Sequence, residues 1–204
     1  WLACRNAGRG EEARDRIRRD TGNPDVHLAQ VDVSSLASVR SLPERLPKDR
    51  LDVLIHNAGV LPRERAFTPD GLELTWATNV VGPFLMTHLL QPRLLRATQG
   101  RVVFVSSGGM YPQRLDVDDL GWERRTFDGV MAYANTKRAL VVLSELFASR
   151  LAGSPVTVNA MPPGWADTPA VRTSLPRFHR VTRSILRTPS QGADTILWLA
   201  VAER

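Results

Sequence analysis

Short apolar runs alternate with longer stretches of helical periodicity along the chain, and that alternation predicts its elements. Trp1 to Cys4 reads as the end of a strand, and Arg9 to Asp20 as a charged helix. Val26 to Val31 predicts a strand that ends at Asp32. Leu36 to Leu46 predicts a helix with Ser34 or Ser35 as its cap. Leu51 to Ile55 is an apolar strand ending in His56, Asn57, Ala58 and Gly59. Thr68 to Leu95 is helical, interrupted near Gly82-Pro83. Arg101 to Val105 predicts another strand, ending in Ser106, Ser107, Gly108 and Gly109, and a long loop runs from there to about Gly129. Val130 to Leu151 is a helix and Val156 to Ala160 a strand ending in Pro162, Pro163 and Gly164. Ser190 to Glu203 is a last helix, with Ser190 as its cap.

Continuous apolar strands separated by helices predict an α/β fold whose parallel sheet is covered on both faces. Ligands of such sheets bind at the carboxyl ends of the strands. Here those ends carry small or polar residues: Asp32, Asn57-Ala58-Gly59, Ser106-Ser107 and Pro163-Gly164. They predict one ligand-binding edge on a single domain spanning 1–204, without internal repeat or linker.

Composition narrows this picture mainly by exclusion. With 43% hydrophobic and 24% charged residues, the chain has the balance of a soluble globular protein. No apolar run reaches the roughly 18 residues of a membrane span. One cysteine, Cys4, excludes an internal disulfide and a cysteine-built zinc site. His27, His56, His88 and His179 lack ligand spacing, so no metal is expected. The net charge of +6 would suit nucleic acid, but the basic residues are dispersed among acids without interleaved aromatics. No nucleic-acid partner is expected. The one local concentration is Arg172, Arg177, Arg180, Arg183 and Arg187.

Tyr133 and Lys137 stand four residues apart in a helical stretch and so share one helix face. There an ammonium stabilises phenolate and lowers the tyrosine pKa, which suits proton transfer near neutral pH. Alone, the pair is a weak signal that reads as an ordinary surface pair. Its company is Asn57-Ala58-Gly59 after one strand, Asn79 within Thr78 to Gly82, Ser106-Ser107 after the next strand, and Pro163 to Thr168 after the last. In this order, over essentially the whole chain, these motifs resemble the short-chain dehydrogenase/reductase family. Val105 to Met110, Thr126 to Gly129, Tyr133 to Arg138, Pro163 to Pro169 and Gln191 to Asp194 resemble its retinol-dehydrogenase-like branch.

The resemblance implies a three-layer, doubly wound Rossmann-like sheet and hydride transfer between a nicotinamide cofactor and a carbonyl or alcohol. Tyr133 would be the general acid/base. Lys137 would lower its pKa and hold the nicotinamide ribose. Ser107, the second serine of its pair, would bond the carbonyl oxygen, and Asn79 would hold a water in the proton relay. Asn57, Ala58 and Gly59 would line the cofactor, and Asp32 with Val33 would meet the adenine. Pro163, Gly164 and Thr168 would hold the carboxamide. Plainer readings stand beside these: a helix cap for Asp32, a turn for Pro163-Gly164, and a strand-end residue bonding backbone for His56. Arg5 ends the first visible strand with no acid before Glu11, which favours NADP(H) over NAD(H).

The spacing of 26 positions from Ser107 to Tyr133 is long for the family, which implies an inserted loop over 108–130. Residues 165–190 correspond to a substrate lid, where Trp165, Leu175, Phe178 and Ile185 would line an apolar pocket. No Gly-x-x-x-Gly-x-Gly run is present. The chain is therefore expected to be part of a longer protein, lacking the first strand with its Gly-rich loop and the last strand. That first strand would lie between Trp1–Cys4 and Leu51–Ile55. A homodimer or homotetramer through the apolar helix after Tyr133 and a cytoplasmic location are expected, the true N-terminus being open. The competing readings are a catalytically idle relative acting as a scaffold, and a serine hydrolase using Ser107. The hydrolase reading lacks a Gly-x-Ser-x-Gly elbow.

Overall fold

The computed structural model describes residues 1–47, 49–174 and 176–203. Among them β1 (Leu2–Cys4) leads into α1 (Ala7–Thr21), β2 (Leu28–Gln30), α2 (Leu36–Arg45) and β3 (Val53–His56). A helical stretch follows in three pieces: α3 (Leu74–Trp76), a π-helical turn over Ala77–Val81 and α4 (Gly82–Leu94). β4 (Gly100–Val105), a 3₁₀ turn at Gly108–Met110, α5 (Gly129–Arg150) and β5 (Val156–Met161) come next. The last helices are α6 (Pro169–Ser174), α7 (Pro176–Thr182) and α8 (Pro189–Val201).

All strand pairs are parallel. β1 pairs with β2, and β3, β4 and β5 form a second sheet in that order. β4 shows why its sequence is apolar throughout. Val102 and Phe104 point to one face, where they pack with Leu94, Leu140, Phe147 and Val158. Val103 and Val105 point to the other face, against Ile196 and Leu199 of α8. Alternate side chains are thus buried under helices on both sides, giving three layers. A separate cluster joins β2, α2 and α4 through Ala29, Val31, Val39, Leu42, Met86 and Leu90.

The facing edges of β1 and β3 do not meet. Between them runs a cleft of about 750 Å³ lined by Leu2, Ala3, Cys4, Val53, Leu54 and Ile55 among others. The strands of the described residues are thus divided into two sheets on either side of this cleft.

Three local expectations need correction. The helix expected from Thr68 starts only at Leu74: Phe67 bridges Glu73 across a turn in which Gly71 has φ +76°. Buried Glu73 then caps the helix, accepting from the Thr75 and Trp76 amides at 2.8 and 2.7 Å. The interruption expected near Gly82-Pro83 lies just before it, as the π-turn at Ala77–Val81. Proline cannot donate within the helix, and Gly82 must stay side-chain-free because a Cβ there would lie 2.2 Å from the Val33 carbonyl oxygen. The last helix is capped by Thr188 rather than Ser190. Thr188 and Gln191 form a capping box, and Pro189 supplies a preset φ at the first turn. For α2 the cap is Ser35, one of the two serines expected there.

Candidate active site

The segments that follow β3 and β4 reach the N-terminal half of α5. The two serines after β4 part company there. Ser106 is buried, and its hydroxyl donates to the Lys137 carbonyl at 2.7 Å, fastening the strand end to the helix. Ser107 is half-buried beside Tyr133, where its hydroxyl favours the phenolate and lowers that group's pKa in part. It also caps the 3₁₀ turn by accepting from the Gly109 amide at 3.4 Å.

Tyr133 and Lys137 lie on one face of α5, with the ammonium nitrogen 5.5 Å from the centre of the phenol ring. Lys137 is almost wholly buried, and its ammonium donates to the Val105 carbonyl at 2.7 Å. Burial disfavours its charged form and brings its pKa down to about 8. The expectation that Lys137 holds the tyrosine pKa below its ordinary value is not met. Burial raises Tyr133, and the bond from Ser107 offsets only part of that. The ammonium is turned toward Val105 and does not offset the desolvation of the phenolate.

Asn79 sits in the π-turn and is fully buried. Its Nδ2 donates to the Val60 carbonyl and to the Thr136 hydroxyl, each at 3.0 Å, while Oδ1 accepts from the Val60 amide at 2.8 Å. Both amide protons are therefore engaged, and one Oδ1 lone pair remains. Thr136 was not singled out by sequence reasoning. Its one signal was a hydroxyl residue next to Lys137 in the helix.

The other singled-out residues fall along the same edge. Asn57, Ala58 and Gly59 follow β3 and are exposed. A Cβ on Gly59 would lie 3.4 Å from both Asn79 Oδ1 and Lys137 Nζ, so this turn lies against the site. Pro163, Gly164 and Thr168 follow β5, and Gly164 takes the left-handed conformation at φ +75°. Arg5 lies exposed at the end of β1. Asp32 is not the cap of α2. Its Oδ1 accepts from the Ser34 amide and hydroxyl at 2.9 and 2.6 Å in an Asx turn. Val33 beside it packs on the β2 cluster. His56 bonds the Thr87 hydroxyl at 2.8 Å, not backbone as expected. It is buried and stacked on Phe104, and burial pulls its pKa down to about 3.

Beyond β5 the chain folds back on itself. Asp167 accepts two hydrogen bonds from Arg172, at 2.7 and 2.8 Å, and contacts His179 Nε2 at 3.0 Å. Trp165 and Phe178 meet with ring centres 4.5 Å apart. Ile185 is 79% exposed, and Leu175 lies outside the described residues. No helix among the described residues is long and apolar enough to cross a membrane.

A parallel, three-layered sheet with small and polar residues gathered at its carboxyl edge defines a Rossmann-like α/β protein. The enoyl-(acyl carrier protein) reductase family profile matches residues 2–201. Dehydrogenase/reductase SDR family member 12 from Bos taurus is 45% identical over 202 residues, covering 98% of this chain and 63% of that protein. Retinol dehydrogenase 13 from Homo sapiens is 36% identical, covering 99% of the chain and 64% of that protein. In solved structures, an uncharacterised protein of Mycobacterium paratuberculosis superposes with a TM-score of 0.77 at 31% identity, covering 99% of this chain and 66% of that one. A short-chain dehydrogenase of Escherichia coli CFT073, solved with NADPH, superposes with a TM-score of 0.76 at 24% identity, covering 98% and 78%. The chain belongs to the short-chain dehydrogenase/reductase family. It spans less than two thirds of the length of these two named relatives.

Proposed function

We propose that this chain belongs to an oxidoreductase that transfers a hydride between NADP(H) and a carbonyl or alcohol of a fairly apolar small molecule, with Tyr133 as general acid/base. The observation that carries the reading is the separation of the two serines. Ser106 is used up on the Lys137 backbone, while Ser107 stays half-buried beside Tyr133 and acts on its phenol. A carbonyl oxygen placed between them would receive a hydrogen bond from Ser107 and a proton from Tyr133. The protonated phenol is the form that a reduction consumes, and burial favours that form.

The residues present fit the nicotinamide end of the cofactor. Gly59 leaves room beside Lys137 and Asn79, and Gly164 brings backbone to the same edge without a side chain. Lys137 would hold the ribose hydroxyls, Asn57, Ala58 and Gly59 would line the dinucleotide, and Asp32 with Val33 would meet the adenine. Pro163, Gly164 and Thr168 would hold the carboxamide. The cofactor supplies the hydride, and this chain supplies position and the proton. Asn79 would serve a relay water only as an acceptor, since its donors are engaged. Arg5 supports NADP(H) by offering a cation where an acid would select NAD(H). Equal affinity for NADPH and NADH, measured by fluorescence titration, would remove that preference.

The relatives named retinol dehydrogenase support an apolar aldehyde or alcohol as substrate. In this reading residues 108–130 form the inserted loop and 165–190 the substrate lid, tied down by Asp167 through Arg172 and His179. An apolar groove of about 330 Å³ on α4 and α5, lined by Val80, Phe84, Val142 and Leu146 among others, suits a homodimer, and a cytoplasmic location is part of the same reading. Leu146 there is 63% exposed. Sedimentation at micromolar concentration is expected to show a dimer, and a monomer alone would sink it.

The decisive variant is Tyr133→Phe in the full-length protein, assayed with NADPH and all-trans-retinal. Turnover is expected to fall by about 10²- to 10⁴-fold with NADPH affinity nearly unchanged. Undiminished turnover would take Tyr133 out of the mechanism. Reduction is also expected to decline as pH rises through about 8, where Lys137 loses its charge.

A further inference from the structure

We propose that Thr136 is a positioning residue that fixes the orientation of the Asn79 amide and, through it, the seating of the Asn57–Val60 turn on α5. Its kinetic consequence rests on the hydride-transfer reading above. The Thr136 hydroxyl has a single proton, which it donates to the Tyr133 carbonyl at 2.7 Å. Toward any other neighbour its oxygen can only accept. That neighbour is Asn79 Nδ2 at 3.0 Å. An amide turned the other way would set Oδ1 against the threonine oxygen, acceptor against acceptor. The hydroxyl therefore decides which end of the amide meets α5.

The rest follows from that choice. With Nδ2 facing Thr136, its second proton reaches the Val60 carbonyl at 3.0 Å, and Oδ1 is left to accept from the Val60 amide at 2.8 Å. Asn79 and Thr136 are both buried, so solvent offers no substitute partner. Val60 directly follows Gly59, whose Cβ position lies 3.4 Å from Lys137 Nζ. The clamp thus sets how closely the turn approaches the ammonium. Tyr133 and Lys137 flank Thr136 on the same helix, so one hydroxyl ties the proton-transfer pair to the segment proposed to line the cofactor.

The test uses the full-length protein with NADPH and all-trans-retinal, and adds amide hydrogen exchange as a readout that needs no turnover. Thr136→Val keeps the shape and removes the hydroxyl. It is expected to speed Val60 amide exchange about tenfold relative to the α5 core, lower kcat about tenfold and displace the alkaline limb of the kcat–pH profile. Thr136→Ser, which keeps the hydroxyl and drops the methyl, is expected to return all three to within about threefold of wild type. If the valine variant does not fold, Thr136→Ala is compared with Thr136→Ser by the same readouts. A serine variant as impaired as valine assigns the effect to packing and overturns the proposal. Unchanged Val60 exchange together with an unchanged pH limb in the valine variant overturns it as well. A wild-type protein that turns over no NADPH overturns the hydride-transfer reading alone, and Val60 exchange still decides the clamp.

Discussion

The two edges of β3 make opposite use of the same kind of residue. Toward β4 the ladder is complete, and Phe104, level with His56 on the neighbouring strand, is 0% exposed beneath Phe147 and His56. Toward β1 the edge is open to the 750 Å³ cleft, and Ile55 is 39% exposed although it belongs to the apolar run. An apolar strand therefore does not by itself make a core. What differs is whether a partner strand and a covering helix are in place on that side. Ser107, Tyr133 and Lys137 all lie on the packed side, where β4, β5 and α5 hold one another, while Asn57, Ala58 and Gly59 leave β3 at the boundary between the two.

Substitutions on the two sides should therefore differ in cost. Phe104→Ala removes a fully buried ring and is expected to destabilise by about 3–5 kcal/mol in denaturant unfolding. A loss below about 1 kcal/mol would mean that the packed side is as loose as the cleft. Ser107→Ala is expected to lower turnover about 10²-fold with stability little changed, whereas Ser106→Ala should lower stability by about 1 kcal/mol. Similar kinetic losses from both serines would erase the distinction between them.

Acid should act on the packed side through His56. Its folded pKa of about 3 lies below the ordinary 6.5 of the unfolded chain. Between those values the unfolded state binds the extra proton, so stability is complete above 6.5 and drains away as the pH falls toward 3. The loss should reach about 2 kcal/mol near pH 5, and His56→Gln should flatten that slope in unfolding curves taken between pH 7 and about 5. The smallest effect is expected at Ile55→Ala, under about 1 kcal/mol, because the side chain already meets solvent. A larger cost would show that the cleft edge carries more of the packing than its exposure indicates.

Much of this was legible in the chain itself. The strands and their order follow from apolar runs whose periodicity is local, and the site segments follow from the small and polar residues at each strand's end. Tyr133 and Lys137 share a face because helix geometry makes four residues one turn. Those features depend on neighbours a few positions apart, which a sequence displays directly.

The tertiary structure decided what depends on distant partners. Ser106 and Ser107 are chemically alike and adjacent, and only the approach of α5 separates them into a fastening and an open hydroxyl. Asn79 is committed by Val60 and Thr136, 19 and 57 positions away. Tyr133 is raised because burial outweighs a cation that the fold turns toward Val105. The start of α3 at Leu74 and the cap of α8 at Thr188 came from side chains bonding backbone, in competition with periodicity. Hydrogen-bond direction and desolvation are set by what surrounds a group in space, and the pattern along the chain does not contain that.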